Sequence, residues 1–143
     1  MDDSVERSIV IAAGVERVWD LVTRPGWWIN DGEVVGHRIE RDGDLCRVHD
    51  PTCGEFEILV VTLEPRTYAA FRWRSDGVTR SVDGPTTLVE FWLDDHGDGT
   101  VTVRVVESGF DGLDSAEDVR RANRDGNDKG WRQELGALQR ALA

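Results

Sequence analysis

A chain of 143 residues has the length of one domain, expected to span 1–143. At this size roughly 68–70% of the unfolded surface can be buried, and 39% hydrophobic residues with six Trp supply a core that needs no metal or disulfide. A net charge of −11 argues against a nucleic-acid partner, which demands clustered Lys and Arg against phosphate, and against docking on anionic membranes.

The longest apolar runs, such as Ile58-Leu59-Val60-Val61, fall far short of the roughly 20 residues of a membrane span. The acidic stretch 1–7 lacks the basic-then-apolar order of a signal peptide, so a cytoplasmic protein is expected. Cys46, His49 and Cys53 have spacings that suit no standard zinc site. No metal and no cofactor is expected. The two cysteines would sit at different heights on a hairpin, poorly placed to bridge.

In chain order, Val5 to Ala12 alternates as a first strand, broken at Gly14. Val15, Val18, Trp19 and Val22 then recur at helical spacing. Arg24-Pro25-Gly26 interrupts that helix, and Pro25 suits the first turn of a second short one carrying Trp27, Trp28 and Ile29. Strands follow between turn signals: Val34–Ile39, Leu45–His49, Glu55–Leu63, Thr67–Trp73, a weakly pairing 78–82, Thr86–Leu93 and Val101–Glu107. In the last hairpin Val89, Phe91 and Leu93 share a face, as do Val101, Val103, Val105 and Glu107. These rows should turn inward, placing Glu107 inside and Trp92 outside.

Asp114 or Ser115 is expected to cap a closing helix, with Glu117 or Asp118 completing the capping box. Trp131, Leu135, Leu138 and Leu142 form one narrow apolar face. Projected backward, that face meets Asn127, Arg124 and Arg120, and Gly126 and Gly130 weaken the helix there. Either the helix breaks near Gly126, or its first half faces something other than a dry core.

One strand, two short helices, six more strands and a long closing helix describe an α+β chain. Its curved antiparallel sheet, of six to seven strands, would wrap around the C-terminal helix. The order resembles the helix-grip fold of START-type lipid carriers and birch-pollen-allergen-like proteins. Within that group the chain resembles small bacterial relatives of the activator of heat-shock protein 90 ATPase. The resemblance is carried by Ile9-Val10-Ile11-Ala12-Ala13 with Val15-Glu16-Arg17-Val18-Trp19, then by Thr23, Pro25 and Leu63-Glu64-Pro65. Phe71-Arg72-Trp73, Gly99-Thr100, Glu107-Ser108-Gly109-Phe110 and the closing Asn127, Gly130, Trp131, Leu135 and Leu138 continue it. Gly14 stands where the family usually has Pro. The eukaryotic activator has a further N-terminal domain to which nothing here corresponds, so the resemblance does not bring the chaperone activity with it.

No nucleophile–histidine pair, phosphate loop or zinc motif is legible. His37 and His49 read as outer-face strand residues and His96 as a solvated loop residue. Asp94-Asp95-His96-Gly97-Asp98-Gly99 reads as a solvated hairpin tip, lacking the helices and terminal Glu of a calcium loop. Glu107 is the ionisable residue that stands out. Two roles are open for it: orienting or reacting with a ligand, or pairing with Arg120 or Arg124 to tie sheet to helix. Trp19, Trp28, Trp73 and Trp131 read as core or pocket wall.

The leading expectation is a non-enzymatic domain enclosing a small apolar molecule in a cavity of roughly 300–1,000 Å³. Phe56, Ile58, Phe71, Trp73, Phe91, Val103 and Glu107 would line it from the sheet, and Asn127 and Trp131 from the helix. An aromatase- or cyclase-like enzyme using Glu107 is one alternative. A chaperone-associated or stress-response partner using the outer face around Trp92 is another, and a homodimer stays open.

Overall fold

The computed structural model describes residues 3–143; Met1 and Asp2, the start of the acidic N-terminal run, lie outside it. β1 (Ser4–Ile11) leads into α1 (Val15–Val22), followed by β2 (Arg38–Asp42), β3 (Leu45–Asp50) and β4 (Gly54–Glu64). β5 (Tyr68–Trp73), β6 (Thr87–Asp95) and β7 (Val101–Ser108) complete the strands, and α2 (Glu117–Ala141) closes the chain. All seven strands form one antiparallel sheet in the order β1-β7-β6-β5-β4-β3-β2. This is the expected α+β helix-grip architecture. Among the described residues no helix is long and apolar enough to cross a membrane.

The register turns the alternation of single strands into continuous rows. Val89 lies opposite Glu107 and Phe91 opposite Val105. On one side β1 sets Val5 against Glu107. On the other, β5 sets Phe71 against Val89 and Trp73 against Thr87. Every residue of this set is buried, so this row of the inner face carries one carboxylate, Glu107, among apolar side chains and Thr87. Trp92 is on the outer face, its ring under the Arg104 guanidinium at 4.0 Å and beside Tyr68 at 5.3 Å.

α2 runs unbroken for 25 residues through both Gly126 and Gly130, about 37 Å at 1.5 Å per residue. Trp131, Leu135 and Leu138 are buried along it, and Leu142 just beyond its end. Its N-cap is Ala116, without a side-chain hydrogen bond, rather than Asp114 or Ser115. The Asp114 carboxylate is drawn away by the buried Arg74, which donates to it at 2.5 Å. Glu117 and Asp118 in the first turn still place negative charge at the positive end of the helix dipole.

Two expected elements differ. The second short helix is absent: residues 24–29 form two turns, closed by Trp27 N donating to Arg24 O at 3.1 Å and Ile29 N to Gly26 O at 2.9 Å. Gly26 has φ +72°, a left-handed conformation no right-handed helix continues, and the turns bury Trp27, Trp28 and Ile29. The strand expected at Val34 begins only at Arg38. Ahead of it His37 leaves the outer face, its side chain only 3% exposed, and meets Asp50 at 2.8 Å. The 78–82 stretch joins β4 through the Glu57 N to Arg80 O bond of 3.3 Å, without becoming a strand.

A Cβ at position 26 would meet Ile29 Cδ1 and both Val48 methyls at 3.1 Å. Gly26→Ala is therefore expected to cost at least about 1–2 kcal/mol, from the left-handed backbone alone. Gly126→Ala, with open space around its Cβ, should instead gain up to about 1 kcal/mol in helix propensity. Urea unfolding of the two variants side by side checks both signs.

Candidate functional site

Glu107 is fully buried, and its two oxygens accept four hydrogen bonds. Trp73 Nε1 donates to Oε2 at 2.8 Å and Thr87 Oγ1 to the same oxygen at 2.6 Å. Trp131 Nε1 donates to Oε1 at 2.8 Å and Asn127 Nδ2 at 3.0 Å. The sheet brings the first two together because Trp73 and Thr87 are register partners, with Thr87 two residues from the Val89 that faces Glu107. The helix brings the second two, since Asn127 and Trp131 are four apart on one face. Asn127 is steadied further by Ser75, whose Oγ lies 2.9 Å from the same amide nitrogen.

Burial pushes the Glu107 carboxyl above its usual range, while the bonds from Thr87, Trp131, Trp73 and Asn127 pull it back. The expected pairing with Arg120 or Arg124 is corrected: all four donors are neutral. Arg120 donates to the Ser115 carbonyl, and Arg124 to the Ser4 carbonyl at 3.0 Å and Asp125 at 3.1 Å. Both arginines reach the strand end and the pre-helix loop; the side chain level with Glu107 comes one turn later, at Asn127.

Above this carboxylate lies a groove of about 220 Å³, lined by Trp28, Asn30, Trp73, Asn127, Gly130, Trp131, Gln133 and Glu134. Of the nine residues expected to line a cavity, Trp73, Asn127 and Trp131 do line this one, and Glu107 sits directly behind them. Phe56, Ile58, Phe71, Phe91 and Val103 are instead packed in the core, outside the groove lining. The space that would have joined them to it is filled by Trp28, whose ring centroid lies 5.5 Å from Phe71 and Trp73, 5.6 Å from Trp131 and 5.7 Å from Phe91. The wide cavity is thereby reduced to a niche between the 24–29 turns and α2.

Asn30, Gly130, Gln133 and Glu134 lie outside the lining expected from the sequence. Glu134 is 7% exposed and accepts from Asn30 Nδ2 at 2.5 Å. Burial pushes its carboxyl up to about 7, against hydrogen bonds from Asn30 and Gln133 and the attraction of Arg140. Nearby, Asp50 takes the backbone N–H of Cys53 at 2.7 Å and of Thr52 at 2.9 Å. Burial works to raise that carboxyl, but these bonds and the one from His37 hold it below its ordinary value.

A seven-stranded sheet gripping a long helix, with a solvent-free carboxylate at their junction, defines a helix-grip domain. The profile of the family described as Activator of Hsp90 ATPase homolog 1-like protein matches residues 12–143, and the chain belongs to that family. A Mesorhizobium loti protein is similar in structure at a TM-score of 0.69 and 22% identity, covering 97% of this chain and 96% of that one. DynU16, a protein of the dynemicin biosynthetic locus, is similar at a TM-score of 0.70 and 26% identity, over 99% of this chain but only 48% of DynU16. The Aha1 dimer from Colwellia psychrerythraea gives 0.64 and 18%, covering 97% and 95%. No curated protein matches the sequence.

Proposed function

We propose that the domain binds a small molecule in the groove between Trp28, Trp73 and Trp131, and that Glu107 builds this groove without reacting with its occupant. The observation that carries this reading is the saturation of Glu107. A carboxylate offers about four lone-pair sites, and the two indoles, the hydroxyl and the amide take four. An acid or base must reach its substrate within hydrogen-bond distance, and a fully buried, fully engaged group does not. Two of the indoles that line the groove are fixed by that same carboxylate, which supports a preformed site and disfavours the cyclase-like alternative.

Size narrows the ligand. An apolar cavity of about 150 Å³ takes up benzene, so 220 Å³ suits a compact body of one ring or its equivalent, not a lipid chain. The likeness to DynU16, from a biosynthetic locus, also favours a small molecule. Thermal-shift screening should find compact ligands. One present at 100 times its Kd adds about 2.7 kcal/mol, several degrees in a domain of this size. Gly130 has open space around its Cβ and lines the groove, so Gly130→Leu should fill it and abolish the shift while keeping α2 intact. A flat response across the library, or an unchanged response in Gly130→Leu, would end this reading.

A further inference from the structure

Resting on the groove as the ligand site, we propose that its ligand carries an alkylated ammonium group, a compact organic cation held against the indole faces. The three tryptophans are not stacked. Trp28 meets Trp73 with planes at 88° and Trp131 with planes at 51°, so the rings turn differently around one space. An indole face is the best aromatic partner for a cation, and a cage of such faces is how quaternary ammonium groups are recognised.

Charge selects the same class. Among the residues lining the groove, Glu134 is the only ionisable one, and no Arg, Lys or His joins it. An anion would face this carboxylate, and a neutral ligand would leave it buried with only the attraction of Arg140 to answer it. A cation compensates it. Behind the wall, Trp73 and Trp131 give their N–H groups to Glu107, so neither donor is free for an occupant and what these two residues offer it is ring carbon. The nearby cations belong elsewhere. Lys129 and Arg132 line a neighbouring groove with Arg7 and at about 100° per residue fall on the far side of α2 from Glu134, while Arg140, whose charge attracts Glu134, gives its guanidinium to the Gly32 carbonyl at 3.0 Å.

Choline and its neutral carbon isostere, 3,3-dimethylbutan-1-ol, separate charge from shape. By calorimetry on the full chain, choline should bind at least tenfold more tightly than the isostere. Glu134→Gln keeps the acceptor for Asn30 and removes the charge. It should weaken choline at least fivefold and leave the isostere unchanged, a split that mere structural damage would not produce. Gly130→Leu should abolish both. A trimethyl-lysine peptide run in parallel tells the source: tighter binding than choline means the cation arrives on a protein, weaker binding that it arrives free. Either result upholds the cation. Equal or tighter binding of the isostere, or an unaltered choline affinity in Glu134→Gln, overturns the ammonium assignment and leaves the groove standing. Failure of every compact ligand, charged or neutral, brings down both.

Discussion

Glu107→Leu is expected to lower the stability of the domain by about 2–6 kcal/mol, since each of the two buried indole donors left without an acceptor costs roughly 1–3 kcal/mol. Leucine matches the apolar row around it, so the loss would not come from poor packing against Val5 or Val89. It would come from Trp73 Nε1 and Trp131 Nε1 facing hydrocarbon, whereas Asn127 Nδ2 keeps Ser75 Oγ at 2.9 Å. Thr87 suffers least, because its hydroxyl can turn to the Trp73 carbonyl, 3.5 Å away. Against a typical total of about 5–15 kcal/mol, this loss leaves a marginal protein.

Glu107→Gln separates the role of the acceptors from that of the shape. With its oxygen toward Trp131 and Asn127, glutamine still serves those two donors, and its amide can donate to the Thr87 hydroxyl. The Trp73 N–H then faces another N–H, so one donor is orphaned, at about 1–3 kcal/mol. Urea unfolding should therefore rank wild type above Gln and Gln above Leu. A loss below about 1 kcal/mol in Glu107→Leu, or a glutamine variant less stable than the leucine one, would show that the four bonds do not hold sheet to helix.

What is legible in the sequence is whatever depends on a residue's local surroundings. The strand alternation that placed Glu107 inside and Trp92 outside is a two-residue pattern, and the register preserved it. The Trp131–Leu142 stripe and its polar continuation at Asn127 are likewise a matter of helical spacing. Asn127 proved to be a donor to Glu107, whereas Arg124 and Arg120 overshoot it. What stayed hidden was set by long-range folding. Glu134 lies beside the apolar stripe, where a glutamate ordinarily reaches water, and it is buried only because the loop carrying Asn30 folds over it from 104 residues away. The narrowness of the niche has the same origin. Pro25-Gly26 read as a helix start, but the left-handed Gly26 makes turns that swing Trp28 into the space between sheet and helix.

Glu134 also gives the fold a pH dependence of definite sign. Its carboxyl is raised from 4.5 to about 7, first by burial and then by the negative charge of Asp50, with Asn30, Gln133 and Arg140 opposing. The folded state thus keeps a proton that the unfolded chain releases near its ordinary value. Stability from this group is fully present below pH 4.5, falls as pH rises toward 7, and changes no further above that. At about 1.4 kcal/mol per unit, the whole swing is bounded at about 3 kcal/mol. Glu134→Gln accepts from Asn30 without titrating. Its stability should match wild type near pH 4.5 and exceed it by up to about 3 kcal/mol at pH 8. Asp50, held below its ordinary value of 3.8, is already ionised across this range and adds no pH dependence to the difference. Urea midpoints from pH 4.5 to 8.5 that run parallel for the two proteins would mean that Glu134 is charged in the folded state throughout, and that its burial is relieved in solution.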